Sequence, residues 1–397
     1  MKKIKQLIVI VGFVFSTLAQ AVDYTAKSSP IINFNEPNLN RLKSKLESVK
    51  NKVAPPDSVL RITQLGDSHT AADIFTGALR QNFQQDYGSA GIGWISPINV
   101  YGQRNTQVYY NASDWTLSSS RSTPANDYPM GGFIATPAVG NAQLTINYNI
   151  DEKPSLWNAT FLVKQLKKGK PLKLVDGMNY EIVLDTKGKT GWQYVNAYVM
   201  LPLTITAETA GSAKLGGIWL EKNGAPGIVV SPVALNGAKQ SIWTHWRSDW
   251  IDDLAKTKSD LIIIAYGTNE AFETPFNVAT YKQFLINSIK AIRKKSPTSA
   301  ILIVSPPDSM LRNKMRRGSS CLAMQPPNLS EIRETQKQVA KSQHTLYWDW
   351  STVMGGMCGM QSWVDKGLAN KDYVHLTANG YQQSANQLYK SLSELLR

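Results

Sequence analysis

Apolar residues in this 397-residue chain recur with different periods in different stretches, and each period predicts a different element. Leu39, Leu42, Leu46 and Val49 fall three to four apart, the spacing of one helix face, and Pro55-Pro56 ends that helix. Val59–Leu65 reads as a strand running into Gly66-Asp67-Ser68-His69, and the pattern from Ala71 to Phe83 is helical again. A strand, a glycine-containing turn and a helix open an α/β unit.

From about Arg104 to Asn223 no long helical stripe occurs. Short β-rich runs take over: Gln143–Ile150, Tyr180–Leu184, Val195–Thr206 and Lys214–Leu220. Turn residues such as Gly131-Gly132 and Asp185-Thr186-Lys187-Gly188 punctuate them, which predicts a β-sandwich. After Pro226 the α/β rhythm returns. Leu261–Ala265 is a continuous apolar run, as a parallel strand buried on both faces requires. Thr280–Lys294 is helical, Ala300–Val304 a strand, Leu329–Lys341 helical and Leu346–Trp348 a strand, and Thr377–Leu396 is a closing amphipathic helix. The pattern therefore predicts an α/β domain, a parallel sheet between two helix layers, interrupted by an inserted β-sandwich. Its expected parts are 22–103, the insert 104–225, and 226–397.

Composition narrows the class. Hydrophobic residues make up 42% and charged residues 18%, which excludes a disordered or fibrous chain. Residues 1–21 read as a cleaved secretory signal: Lys2, Lys3 and Lys5, an apolar stretch Leu7–Phe15, then Ala19-Gln20-Ala21. That stretch is too short to span a bilayer comfortably, and an uncleaved anchor is the alternative. No other segment reads as transmembrane, so no membrane insertion is expected after cleavage. The formal charge is +14, of which three lysines lie in the leader, leaving +11. Such a balance favours an anionic partner. No nucleic-acid motif is present, and an acidic cell-wall polymer suits an exported protein better. Two cysteines, Cys321 and Cys358, in an exported chain predict one disulfide, with two free buried thiols as the alternative. Neither they nor His69, His245, His344 and His375 show zinc-ligand spacing, so no metal and no cofactor is expected.

Three places carry candidate chemistry. Ser68, on a turn at a strand's C-terminal end, sits where open α/β sheets bind ligands, although Asp and Ser are also ordinary N-caps. Asp372-Tyr373-Val374-His375 can supply from one loop the base and the orienting acid that a serine nucleophile needs. Tyr266-Gly267-Thr268-Asn269-Glu270 follows the Leu261–Ala265 strand, and an Asn there can aim its side-chain amide at an oxyanion. All three fall at strand ends or in the final loop, hence on one face.

Leu65-Gly66-Asp67-Ser68, Gly267-Thr268-Asn269 and Asp372-x-x-His375 resemble, in order, the blocks of the SGNH (GDSL-type) hydrolase superfamily. The resemblance implies a triad of Ser68, Asp372 and His375. It implies an oxyanion hole made by the Ser68 amide, a glycine amide from a middle block and the Asn269 side chain. The best match to that block is Val233-Ala234-Leu235-Asn236-Gly237-Ala238, which nominates Gly237. Gly237 lies much further from Ser68 than in a plain member, which itself points to an insertion. Further blocks narrow the resemblance: Gly66 to Ala71, Tyr87-Gly88-x-x-Gly91-x-Gly93-Trp94, Asn236-Gly237-Ala238, Tyr347-Trp348-Asp349-Trp350 and Met354-Gly355-Gly356. They are similar to those of the peptidoglycan O-acetylesterases of Gram-negative bacteria. That implies a periplasmic enzyme removing acetyl from the C6 hydroxyl of N-acetylmuramic acid through an acetyl-enzyme, and an insert resembling a carbohydrate-binding module. Its partner would be O-acetylated glycan strands.

Three rival functions remain open on the sequence: an O-acetyltransferase using the same triad, a non-catalytic glycan-binding protein, and a lipase of the same superfamily, which would prefer long acyl chains. Trp115, Trp157, Trp192 and Trp219 of the insert are either sugar-stacking rings or core. Arg312, Lys314, Arg316 and Arg317 form a basic run that is either a solvated loop or a contact to stem-peptide carboxylates.

Overall fold

The computed structural model describes residues 27–53, 58–125, 127–149, 154–166, 169–312 and 320–397. The leader and the basic residues Lys314, Arg316 and Arg317 lie outside the described residues, as does Ile150 at the end of the first expected β-run. Six strands form the central sheet, in the order Ile32–Asn33, Leu346–Trp348, Ala300–Val304, Leu261–Ala265, Val59–Gly66, Gly227–Ala234. Every pair is parallel except the first, where the short Ile32–Asn33 strand runs antiparallel along the edge.

Val59–Gly66, Leu261–Ala265 and Ala300–Val304 are buried along their whole lengths because helices cover both faces. Strand alternation divides the apolar positions between two cores. Leu261 and Ile263 pack with helices Leu39–Lys50, Ile74–Tyr87 and Ala378–Leu395. Ile262 and Ile264 pack with Val278–Lys295 and Leu329–Ser342. The result is a three-layer α/β/α domain.

The expected helix from Ala71 to Phe83 is two helices, Ser68–Ala71 and Ile74–Tyr87. Asp73 separates them in the left-handed region at φ 50°. Its carboxylate sits in a buried cluster: Oδ1 bonds Arg80 at 2.9 Å and Oδ2 accepts from the Thr106 amide at 2.9 Å. Arg80 in turn donates through Nε to the Val230 carbonyl at 2.7 Å. One ion pair thus ties the Ser68 segment, the following helix, an edge strand and the chain leading into the second unit.

That second unit is a sandwich of two antiparallel sheets. One runs Glu181–Leu184, Leu172–Val175, Leu203–Ala207, Ala142–Tyr148, Val108–Ser113; the other runs Gln193–Met200, Leu156–Gln165, Ala213–Lys222, Phe133–Pro137, Trp115–Ser119. Inward residues of both, such as Leu144, Leu174 and Ile205 against Phe161, Val199 and Ile218, share one apolar core. The expected run Val195–Thr206 is two strands in different sheets, because Pro202 lacks an amide hydrogen for a ladder and the chain crosses between sheets there. Gly91–Ile95, which precedes residue 104, also pairs with Ala213–Lys222. Trp157, Trp192 and Trp219 are buried, Trp157 among the inner side chains of the sandwich and the other two in the cluster it shares with the α/β domain. These three rings therefore pack the interior and offer no open stacking face. Cys321 and Cys358 are joined in a disulfide with Cα atoms 5.8 Å apart.

Candidate active site

Three adjacent parallel strands end level with one another. Ala234, Gly66 and Ala265 are register partners, so the residues following each emerge side by side on the sheet's C-terminal edge. Crowding there explains Gly66: a Cβ would stand 2.1 Å from the Thr70 hydroxyl and 3.0 Å from the Ala265 carbonyl. Asp67 caps the short Ser68–Ala71 helix, its Oδ1 accepting from the His69 amide at 3.0 Å. Ser68 is thereby placed at the first position of that capped helix.

His375 arrives from the loop before the last helix. Its Nε2 lies 3.0 Å from Ser68 Oγ, and its Nδ1 lies 2.8 Å from Asp372 Oδ2. The other carboxylate oxygen, Oδ1, accepts from the amides of Val374 at 2.9 Å and His375 at 3.0 Å. The Asp372–His375 turn is thus closed on itself, and the imidazole is held by its own loop. Burial opposes ionisation of Asp372, but bonds from His375 and the two amides outweigh it and draw its pKa down to about 2. The Asp372 hydrogen bond raises the pKa of His375 above the ordinary value, against the effect of burial. Both side chains keep 41–47% of their surface open to solvent, so the centre is a shallow cleft.

Asn269 lies in the Thr268–Ala271 turn after Gly267, which adopts φ +127°. Its Nδ2 donates to the Ala238 carbonyl at 2.8 Å. An amide NH2 has a second hydrogen, which that bond leaves available. Gly237, the residue before, has φ +66°, a conformation that side chains disfavour. The structure therefore brings Ser68, Asp372 and His375 into one hydrogen-bonded line, and brings Asn269 against the segment that carries Gly237.

Several residues behind the site were not singled out from sequence. His69 is buried, with Nδ1 2.9 Å from the Tyr381 hydroxyl, and desolvation lowers its pKa to about 3, so it is neutral. Desolvation pushes buried Asp67 up to about 6, and buried Glu270 to about 7. Glu270 Oε1 accepts from the Gln240 amide at 2.7 Å, anchoring the chain just past Ala238. His69 and Glu270 belong to the sequence blocks already quoted, which was the available signal. Tyr381 lies in no such block.

A cavity of about 270 Å³ opens between the two units, lined among others by Ala71, at the end of the Ser68–Ala71 helix, and by Arg104, Asn105, Tyr109 and Ala234. Asn236 Nδ2 donates to the Gly102 carbonyl at 2.8 Å, so the loop bearing fully exposed Tyr101 adjoins the Gly237 segment. Among the described residues, no cluster of three or more His, Cys, Asp or Glu is arranged to hold a metal ion, and no helix is long and apolar enough to cross a membrane.

Comparison with known proteins bears on what this geometry is for. The family model described as "Peptidoglycan O-acetylesterase, N-terminal" matches residues 90–204, and that of the "GDSL-like Lipase/Acylhydrolase family" matches residues 199–383. A solved structure titled "Peptidoglycan O-acetylesterase in action, 5 min" is 35% identical, with 92% of this chain and 99% of that one covered at a TM-score of 0.82. The chain belongs to the peptidoglycan O-acetylesterase family. It is a GDSL-type carboxylic ester hydrolase that removes O-acetyl groups from peptidoglycan. A GDSL-like lipase from Parabacteroides merdae is 21% identical, covering 43% of this chain and 73% of its own, at a TM-score of 0.32. A family two carbohydrate esterase from Clostridium thermocellum is 12% identical, covering 72% and 98%, also at 0.32. No curated protein matches.

Proposed function

We propose that this O-acetylesterase works by two-step acyl transfer at Ser68 and takes its acetyl groups from the C6 hydroxyl of N-acetylmuramic acid. His375 Nε2 removes the proton from Ser68 Oγ, which attacks the acetyl carbonyl. Asp372 holds the imidazole in the tautomer that leaves Nε2 free to accept, and stabilises the imidazolium that forms. The oxyanion is met by the Ser68 amide, the Gly237 amide and the free hydrogen of Asn269 Nδ2. The bond from the carbonyl carbon to the sugar oxygen then breaks, and His375 returns the proton to that oxygen. Water, deprotonated by the same imidazole, attacks the acetyl-enzyme, and acetate leaves as Ser68 recovers its proton.

The observation that carries this reading is the 3.0 Å and 2.8 Å hydrogen-bonded line from Ser68 through His375 to Asp372 in a chain of this family. The half-open side chains of His375 and Asp372 favour hydrolysis over transfer, because water reaches the acyl group freely. Residues 1–21 act as a cleaved leader and the enzyme works in the periplasm, where its polymer lies. The sandwich serves as a glycan-gripping module resembling a carbohydrate-binding domain, through surface groups such as Tyr101 and Tyr109 beside the cleft. Acetate release from O-acetylated peptidoglycan tests the reading, with Ser68→Ala as control. Release by the unaltered protein and none by the variant supports it; equal release by both overturns it.

A further inference from the structure

Arg121 belongs to the sandwich, yet its guanidinium lies against the Gly237 segment of the α/β domain. A Cβ built on Gly237 would stand 2.7 Å from Nη2 and 2.9 Å from Nη1. The turn that carries it is pinned from both sides. The Ser122 and Thr123 amides donate to the Ser119 carbonyl at 3.1 and 2.9 Å, and Ser120 N donates to the Gly132 carbonyl at 2.8 Å. From the other domain, His245 Nδ1 lies 3.0 Å from the Ser120 carbonyl, and Trp246 Nε1 donates to Ser120 Oγ at 3.2 Å. The placement of Arg121 is therefore set by the docking of the two units.

Arg121 is exposed, and among the described residues it makes no ion pair. The acids of this region are engaged elsewhere: Asp127 with Lys164, Glu273 with Lys239, and Glu270 buried against the Gln240 amide. A guanidinium that lies against the Gly237 segment on a pinned backbone turn, with no ion pair among the described residues, is a site for a carboxylate, whose two oxygens match its fork.

We propose that Arg121 binds a carboxylate of the substrate, one carried by the stem peptide of the acetylated strand, and so orients the ester toward Ser68. This rests on the peptidoglycan reading above. It makes the sandwich a specificity element of the active site, and it gives Gly237 a second reason to lack a side chain.

The test compares two substrates on the full mature protein: solubilised O-acetylated peptidoglycan fragments, and an O-acetylated chito-oligosaccharide, which has the sugar ester but no carboxylate. Arg121→Gln is expected to raise KM for the peptidoglycan fragments about tenfold with kcat changed less than about twofold, the size of one exposed charge-assisted contact. Arg121→Lys restores part of the loss. The ratio of kcat/KM between the two substrates is the readout. An equal loss on both would make Arg121 an oxyanion or structural residue and overturn the proposal, as would no loss on peptidoglycan. If Arg121→Gln fails to fold, salt decides on the unaltered chain: kcat/KM falls with ionic strength for the carboxylate substrate and stays flat for the neutral one, and equal dependence overturns the proposal. Failure of the underlying esterase reading looks different, since Ser68→Ala would then retain activity on both substrates.

Discussion

The α/β domain buries more charge than the sandwich, which buries Asp176 but keeps its ion pairs near solvent. Around the serine, the α/β domain buries Asp67, His69, Glu270 and the Asp73–Arg80 pair. The sandwich fills its interior with side chains such as Phe161, Val199 and Ile205, and keeps pairs such as Lys164–Asp127 and Lys170–Glu208 near solvent. Buried charge is costly unless hydrogen-bonded, so it accumulates where geometry must be held. Asp73 holds the turn after Ser68, and Glu270 holds the segment after Ala238. The sandwich reaches the reaction centre chiefly along a rim of loops, Tyr101 to Asn105 and Arg121. On the proposed mechanism, one unit holds the reacting atoms still and the other shapes what can approach them.

The division breaks most visibly at His375. His375→Ala is expected to cut turnover roughly 10⁴-fold while leaving the melting temperature nearly unchanged, because the side chain is half open and packs little. Steady-state acetate release alongside calorimetry checks this. Arg80→Ala should do the reverse. It strands the Asp73 carboxylate in the interior and costs about 3–5 kcal/mol of stability, measured by urea unfolding. The matching change in the sandwich, Lys164→Ala, removes a partly exposed pair and costs less than about 1 kcal/mol. Comparable costs at the two sites would show that the contrast is not real.

What could be read from sequence follows the same physics. Leu261–Ala265 and Val59–Gly66 are buried on both faces, and so appear as apolar runs ending in the blocks that carry Asn269 and Ser68. Gly227–Ala234 was not legible, since Pro232 argues against a central strand; it lies at the sheet's edge, where a missing donor is tolerated. The sandwich strands Leu172–Val175 and Trp115–Ser119 are short and half-exposed, and give little periodic signal. The partnership of Ser68, Asp372 and His375 was suggested by residue types placed at strand ends and in the final loop, and by block order. Their distances, the docking of Arg121 on Gly237, and the His69–Tyr381 bond join residues far apart in sequence, and no local pattern encodes them.

Two smaller effects sharpen the account. Asn269→Ala should lower kcat about 10²–10³-fold with KM little changed, because a donor aimed at the oxyanion acts in the transition state; a change mainly in KM would assign it to binding. The pH profile follows from His375. The base works unprotonated, and its bond to Asp372 raises its pKa, so kcat/KM should fall toward acid with a midpoint above the ordinary value of about 6.5. In Asp372→Asn, whatever activity remains should show that midpoint moved down; an unmoved midpoint would mean another group sets the profile.

The central claim, that Ser68 is the nucleophile, is tested most directly by titrating the mature protein with a fluorophosphonate and locating the label by peptide mass spectrometry. The account predicts one label per chain, on Ser68, with acetate release from O-acetylated peptidoglycan lost in proportion to labelling. Full labelling of Ser68 with acetate release intact, or loss of release through a label on another residue, would contradict it.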